Sequence, residues 1–155
     1  MVLHLDLFDY LLFKLKEKGI KMYITPMYLG EGDSGSFTKK YGYNLGCLSN
    51  ENSYPIQENY LKEFVNHVNP YTGIAYKNDP DIIAFEIVNE PKHWKAPGLV
   101  TKYINTMYKA IRSTACDKPI MYNMTTCVRF IDDVLKSKVD GGSFQWYPTG
   151  LTANH

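Results

Sequence analysis

The sequence predicts an α/β fold in which parallel strands alternate with helices. Short apolar runs rich in β-branched residues, of which residues 82–88 are the clearest, are separated by longer stretches with helical spacing of apolar residues. Short turns that contain Gly or Pro join one element to the next, and no linker or internal repeat divides the chain. Alternation of this kind is typical of a parallel sheet whose strands are connected by helices, so residues 1–155 are predicted to belong to a single domain.

The first elements are a helix, a strand and a long loop. Apolar residues recur at intervals of three and four over residues 4–18, which predicts an amphipathic helix that ends at Gly19. Residues 20–29 are mostly apolar and aromatic and predict the first strand. Residues 30–54 have no periodicity, and a loop of that length is either functional or a sign of a wrong assignment. We favour function, because the loop would leave the sheet at the end where ligands bind parallel strands.

A second helix is predicted to begin at Pro55, because proline suits the first turn of a helix, and to stop at Asn69-Pro70. His67 lies on this helix and is interpreted as a surface or packed residue rather than a ligand or a base. Residues 71–80 form a turn-rich link to the next strand. One face of the helix predicts a buried stripe of Leu61, Phe64, Val65 and Val68.

The second half of the chain repeats the alternation. Parallel strands adjacent in chain order follow from right-handed crossovers and short turns. Asn123 and Thr125 are placed toward the carboxyl end of their strand. The predicted elements are a strand at 82–89, a helix opened by residues 96–98 and closed before Asp117, a strand at 120–125, a short helix with Val128, Ile131, Val134 and Leu135, and a strand at 143–147 after a turn at Gly141-Gly142.

Composition excludes several classes of function. The net charge is +1, with 17 basic and 16 acidic residues interspersed, which gives no electrostatic footprint for nucleic acid. No apolar run approaches the ~18 residues of a membrane-spanning segment. The three cysteines are widely spaced and odd in number, so the sequence predicts neither a disulfide framework nor a metal site. No strand is followed by a glycine-rich phosphate loop, which argues against a nucleotide-binding domain, and no cofactor is predicted.

The most informative stretch is the end of the strand at residues 82–89. Pro91 has no N–H to donate to a neighbouring strand, so pairing should stop near Glu90. Asn89 and Glu90 should then lie at the carboxyl end of the sheet, where ligands bind. The alternative is that Asn-Glu-Pro is only a polar turn. A functional site is favoured over a polar turn because a second acid, Glu86, lies in the same apolar run, and because His93 and Trp94 follow soon after Glu90.

The residues Phe85-Glu86-Ile87-Val88-Asn89-Glu90-Pro91 closely resemble the fourth-strand signature of clan A glycoside hydrolases, especially family 5 with its endo-mannanases and cellulases. The resemblance implies a (β/α)8 barrel, of which this chain would hold about strands three to six. It implies that Glu90 is the general acid/base and that Asn89 hydrogen-bonds the sugar 2-hydroxyl. The nucleophile of the clan is a Glu at the end of the seventh strand. No glutamate follows Glu90, so we expect residues 1–155 to be an incomplete catalytic domain whose remaining barrel segments belong to a longer parent chain, secreted or periplasmic by the same resemblance.

Further substrate contacts are expected around Glu90. Trp94 and Trp146 each follow a strand and are candidate platforms for sugar stacking, although a packed Trp is an equal alternative. Tyr147 aligns loosely with the His-aromatic-Tyr pattern of family 5, but Gln145 stands where that histidine would be. His93 and Tyr28 complete the candidates.

Glu86 is rejected as the second carboxylate of the reaction. It lies four residues before Glu90 on the same face of the strand, roughly 13 Å deeper at about 3.3 Å per residue. The two carboxyl groups of a retaining glycosidase are only about 5–5.5 Å apart. Glu86 is therefore interpreted as an interior carboxylate satisfied by its neighbours.

The sequence leaves two hypotheses from different classes. The first is a retaining glycoside hydrolase acting on a β-linked mannan or glucan, in which this chain alone would be inactive for want of a nucleophile. The second is a noncatalytic carbohydrate-binding remnant of such a barrel that keeps the aromatic platforms. The sugar and the linkage cannot be read from these residues.

Overall fold

The computed structural model describes residues 2–28, 50–91, 98–124 and 131–145. A 3-10 helix at Glu51–Ser53 precedes the second α-helix, and another at Tyr76–Asn78 precedes the fourth strand. In chain order the elements are α1 (Val2–Glu17), β1 (Met22–Ile24), α2 (Tyr54–Asn66), β2 (Val68–Asn69), β3 (Ile74–Ala75), β4 (Ile82–Glu86), α3 (Leu99–Arg112), β5 (Ile120–Asn123), α4 (Ile131–Lys136) and β6 (Gly141–Ser143).

Four strands form a parallel sheet in the order β1-β4-β5-β6. Phe85 is in register with Ile120, and Met121 is in register with Gly141. The four strands predicted near residues 20–29, 82–89, 120–125 and 143–147 are thus parallel and adjacent in that order, which confirms the predicted topology. The parallel arrangement brings the carboxyl ends of all four strands to one edge of the sheet.

The helices pack on one face of this sheet through aromatic side chains. Phe64 of α2 meets Phe85 of β4 edge to face with the ring centroids 6.4 Å apart, and Tyr103 of α3 meets Tyr122 of β5 at the same separation. All four rings are buried. Burying one such side chain stabilises the fold by about 1.5–3 kcal/mol, so these contacts fix the orientation of the strands. Alternation along β4 then turns Glu86 to the opposite face.

Helix α1 is joined to a small hairpin by one buried carboxylate. Asp9 accepts hydrogen bonds from the Tyr76 hydroxyl at 2.5 Å and pairs with Nε2 of His67 at 2.8 Å. The Asn69 side chain donates to the backbone oxygen of Asp9 at 2.9 Å. His67 is therefore packed against α1, as the sequence predicts.

The hairpin itself corrects the prediction of a helix up to Asn69. Helix α2 ends at Asn66, and β2 pairs with β3 in antiparallel fashion. The Asn69 side chain donates to the backbone of α1. Pro70 also disfavours a helical backbone at Asn69, the residue that precedes it. Val68, predicted to be buried, is consequently 52% exposed, whereas Leu61, Phe64 and Val65 are buried as predicted.

Strands β1 and β6 differ most from their predicted bounds, and β4 and β5 end earlier than predicted, at Glu86 and Asn123. Strand β1 stops at Ile24 rather than Leu29, because Pro26 cannot donate a ladder hydrogen bond. Strand β6 occupies residues 141–143 rather than 143–147, so Gly141 belongs to the sheet and not to a turn. A Cβ at Gly141 would come within 2.5 Å of the Met121 methyl group, so the glycine makes room for the neighbouring side chain.

The short helix α4 begins at Ile131, and its predicted apolar residues are only partly buried. Val134 is buried, but Ile131 and Leu135 are exposed. Among the described helices none is both long and apolar enough to cross a membrane.

Candidate active site

The carboxyl ends of β1 and β4 meet again beyond the regular strands. The backbone N–H of Asn89 donates to the Met27 carbonyl at 2.8 Å, and Tyr28 and Asn89 form a parallel β-bridge. The pairing of the two strands therefore reaches Asn89, and Glu90 is the first residue past it. Glu90 is half-buried, and the buried Pro91 follows.

Glu90 has a backbone φ of +43°, in the left-handed region that non-glycine residues rarely adopt. A left-handed backbone costs a non-glycine residue about 1–2 kcal/mol. Such strain persists where the surrounding structure enforces it, and it is concentrated at functional sites. Here the bridge on one side and Pro91 on the other impose the turn that directs Glu90 away from the line of the strand.

Glu86 lies deeper on the same strand and is held by residues from the other three strands. Its Oε1 accepts from the Tyr23 hydroxyl at 2.9 Å, and its Oε2 accepts from Thr25 Oγ1 at 2.9 Å. Asn123 Nδ2 and the Ser143 hydroxyl also donate to Oε1, the former at 3.5 Å. The side chain is 3% exposed, so this is an interior carboxylate whose oxygens are satisfied by neighbours.

Two features of this Glu86 cluster bear on its chemistry. Burial, and then the hydrogen bond to the Glu86 carboxylate, raise the pKa of Tyr23 above its usual range, so the phenol stays protonated and remains a donor. Asn123 is the last residue of β5, at the carboxyl end where the sequence predicts it, and its side chain is buried beside Glu86. Its amide is one of the few neutral donors that can reach a carboxylate from β5, which explains why a polar residue occupies a buried strand position.

Gln145 connects β6 to the candidate site. Its Nε2 donates to Asn89 Oδ1 at 3.2 Å, across a separation of 56 residues in sequence. The end of β6 is held in place by the Met124 amide, which donates to the Ser143 carbonyl at 2.8 Å. The sequence pattern points to Gln145 only as a departure from the family, and the contact with Asn89 depends on a register that no local signal encodes.

The structure brings together some of the residues that the sequence predicts for the site. Asn89, Glu90 and Tyr28 lie at the carboxyl ends of neighbouring strands, and Tyr28 is 54% exposed. The other predicted substrate contacts lie outside the described residues, as do Thr125 and the residues of the long loop up to position 49. These contacts are His93, Trp94, Trp146 and Tyr147.

Asp133 lies on α4, and its side chain contacts the start of α3. Its Oδ1 accepts from the Gly98 amide at 2.9 Å, from Thr101 Oγ1 at 2.7 Å and from the Thr101 amide at 3.3 Å. It therefore caps the first turn of α3, which begins after the loop that leaves the carboxyl end of β4. Burial by itself would raise the pKa of Asp133, but these hydrogen bonds outweigh it and lower the pKa below its ordinary value.

The remaining titratable groups of the described residues are not arranged as a metal site. Within the described part of the chain no three His, Cys, Asp or Glu side chains come together to hold a metal ion. Cys116 is buried and free, and burial raises the pKa of its thiol, which marks a packed residue rather than a reactive one. Cys47 and Cys127 lie outside the described residues.

Comparison with known proteins identifies the family. A family model described as GH (glycoside hydrolase) family 5 beta-mannosidase-like matches residues 17–125, which include the Asn-Glu-Pro segment and most of the parallel sheet. The chain belongs to glycoside hydrolase family 5. This family 5 chain is 28% identical over 116 residues to mannan endo-1,4-beta-mannosidase 3 of Arabidopsis thaliana, a stretch that is 68% of this chain and 28% of that protein. It is 40% identical over 52 residues to mannan endo-1,4-beta-mannosidase 3 of Oryza sativa subsp. japonica, which is 32% of this chain and 11% of that protein.

Solved structures agree on the fold. The family 5 chain superposes on the endo-1,4-beta-mannanase from Rhizomucor miehei with a TM-score of 0.73 at 22% identity, over 91% of this chain and 48% of that one. The endo-beta-1,4-mannanase from Thermotoga petrophila gives a TM-score of 0.63 at 24% identity, over 76% of this chain and 26% of that one. The four-stranded parallel sheet and its helices are thus part of a (β/α)8 barrel. The chain spans little more than a quarter of the Arabidopsis protein and about half of the Rhizomucor one.

Proposed function

We propose that this chain is the central part of the catalytic domain of a retaining β-mannan hydrolase, with Glu90 as the general acid/base. The observation that carries the proposal is the position of Glu90, which follows the last paired residue of β4 at the carboxyl edge of the sheet. Membership of family 5 supports hydrolysis of a glycosidic bond. The two relatives named above are mannan endo-1,4-beta-mannosidases, which supports a β-1,4-mannan as the substrate.

In the proposed reaction Glu90 acts twice. As an acid it protonates the glycosidic oxygen while a second carboxylate attacks the anomeric carbon and forms a glycosyl-enzyme intermediate. As a base it then removes a proton from the water that hydrolyses this intermediate. Asn89, beside it, donates a hydrogen bond to the sugar 2-hydroxyl, a contact that strengthens in the transition state.

The second carboxylate of this proposal comes from outside residues 1–155. Glu90 is the last glutamate of the sequence. Glu86 is a poor nucleophile for the same sugar, because both of its oxygens accept hydrogen bonds from other strands and it lies roughly 13 Å from Glu90 along the strand at about 3.3 Å per residue. We therefore propose that residues 1–155 are an incomplete catalytic domain and that the 155-residue chain alone does not turn over mannan.

The test is Glu90→Gln in the full-length protein, compared on two substrates. Cleavage of β-mannan needs protonation of a poor leaving group and should fall by about 100-fold or more. The glycosylation step with a dinitrophenyl β-mannoside, whose leaving group needs little protonation, should keep its rate, and the glycosyl-enzyme should accumulate. Asp117→Asn is a matched control that removes a carboxylate from the turn before β5 and should leave both rates unchanged. Unchanged cleavage of mannan by Glu90→Gln would refute the assignment.

A second candidate function is noncatalytic binding of a mannan chain. The observation that favours it is the engagement of Glu86 by its neighbours, which removes Glu86 as a catalytic partner for Glu90 among the described residues. Binding of mannotetraose without turnover, both by the 155-residue chain and by the full-length protein, would establish this alternative.

A further inference from the structure

The Asn89 side chain can present either its oxygen or its NH2 group to a ligand, and the neighbouring groups decide which. Its backbone amide is already used, because it donates to the Met27 carbonyl at 2.8 Å. Its Oδ1 accepts from Nε2 of Gln145 at 3.2 Å. The oxygen of the amide is therefore directed toward β6, and the NH2 group, in the same plane, points to the opposite side of the Cβ–Cγ bond.

We propose that Gln145 is a positioning residue that fixes the Asn89 side chain with its NH2 group toward the substrate. Asn89 is half-buried, and its NH2 group makes no hydrogen bond with any other described residue. An amide whose oxygen is occupied and whose two N–H donors have no partner among the described residues can donate to an acceptor, and a sugar hydroxyl oxygen supplies one. This inference rests on the proposed function, since it specifies how Asn89 meets the sugar.

The chain that holds Gln145 is itself anchored. Gln145 lies two residues after Ser143, the last residue of β6, whose carbonyl accepts from the Met124 amide and whose hydroxyl donates to Glu86. The contact between Gln145 and Asn89 therefore spans β5 and joins the carboxyl ends of β4 and β6. With the Gln145 amide oriented as in the structure, rotation of the Asn89 amide by half a turn would set its NH2 against the Gln145 NH2, two donors without an acceptor. This orientation of Gln145 therefore selects one orientation of Asn89.

Gln145→Glu is the most direct perturbation, because it keeps the size of the side chain and removes the donor. The Glu carboxylate would accept from the Asn89 NH2 group, so Asn89 should rotate and present its oxygen to the ligand. Gln145→Ala should leave the Asn89 amide to sample both orientations. Gln145→His keeps an N–H donor and should restore the original orientation. Asn89→Asp, which removes the NH2 group altogether, is the matched reference for a site without the donor.

The first readout needs no ligand. In 15N-labelled protein the side-chain NH2 resonances of Asn89 should shift downfield in Gln145→Glu, broaden or average in Gln145→Ala, and return to their original positions in Gln145→His. Backbone spectra that match the original outside the site would show that all variants fold. If the Asn89 NH2 resonances are the same in Gln145→Glu and Gln145→Ala as in the original chain, the proposal is overturned, whatever the substrate.

The second readout is the affinity for mannotriose. Gln145→Glu should bind about 10-fold more weakly and match Asn89→Asp, and the double variant should lose no more than either single one, because both remove the same donor. Additive losses would overturn the proposal, because they would mean that Gln145 touches the sugar independently. If the original protein binds no mannotriose, the proposed substrate is wrong, and the NMR readout still decides the role of Gln145.

Discussion

Asp133→Ala should destabilise the chain by about 2 kcal/mol, because the substitution removes the side chain that caps the first turn of α3. Replacing a capping residue by alanine costs about 0.5–2 kcal/mol, and hydrogen bonds to a charged acceptor are worth about 1.5–3 kcal/mol each. Three donors reach Asp133 Oδ1, at 2.7, 2.9 and 3.3 Å. Two of them keep other partners, since Gly98 is exposed to water and the Thr101 hydroxyl also reaches the Asp133 carbonyl at 3.2 Å. The loss therefore stays near the value for one strong cap.

Urea unfolding followed by far-ultraviolet circular dichroism measures this loss, and for a chain of this size it corresponds to a fall of about 4–8 °C in Tm. Asp132→Ala is the matched control, because Asp132 is adjacent on α4 and exposed. It should change the free energy of unfolding by less than about 0.5 kcal/mol. Equal effects of the two substitutions would refute the assignment of Asp133 as the cap.

The same cap has a pH dependence of known sign. The folded pKa of Asp133 is lowered, so its stabilisation is fully present above the ordinary aspartate pKa of about 3.9 and is lost as the pH falls through the lower folded value. Asp133→Asn keeps an acceptor oxygen but no charge. Its deficit relative to the original chain should be greatest near pH 7 and vanish in strong acid. A deficit that grows as the pH falls would contradict the reasoning.

Other substitutions test the Glu86 cluster and the fit of β6. Glu86→Gln should cost about 3 kcal/mol in urea unfolding, since its new NH2 group faces donors instead of accepting from them; a loss below about 1 kcal/mol would argue against the cluster. Tyr23→Phe should cost about 1 kcal/mol below pH 10, and the difference from the original chain should shrink as the pH rises through the raised pKa of the phenol. Gly141→Ala should cost about 1 kcal/mol, at the low end of the range for overpacking, because the Met121 methyl group that its Cβ would meet is the end of a flexible side chain. The loss, measured as a lower Tm, should exceed that of Gly142→Ala, whose nearest neighbour is 3.1 Å away. Recovery by Met121→Ala in the Gly141→Ala background would confirm the clash, and equal costs for the two glycines would contradict it.

The sequence predicts the long regular elements because each carries a periodic signal of its own. Apolar residues of α3 recur at helical spacing in the sequence, and four of them, Tyr103, Ile104, Met107 and Ile111, are fully buried. The position of Glu90 follows from a local rule, since Pro91 must end the pairing of β4. These predictions depend only on neighbours in sequence, which is why they hold.

The parts that the sequence misses depend on distant partners. Strands β2 and β3 have two residues each, too few to show an alternation, and their pairing is fixed by the bond of Asn69 to Asp9. Gly141 has low strand propensity, but it lies in the sheet because the Met121 side chain fills the space beside it. The contact between Gln145 and Asn89 likewise requires the register of three strands.

The Glu86 cluster also has a consequence for how the sheet folds. Tyr23, Thr25, Asn123 and Ser143 come from three different strands, and each donates to the same buried carboxylate. A strand that docks one residue out of register turns its donor to the helical face and leaves a dehydrated carboxylate short of a partner. Misaligned sheets are thereby penalised through a single side chain. Glu86 thus favours the native register of the strands over shifted ones, which an apolar residue at this position would not do.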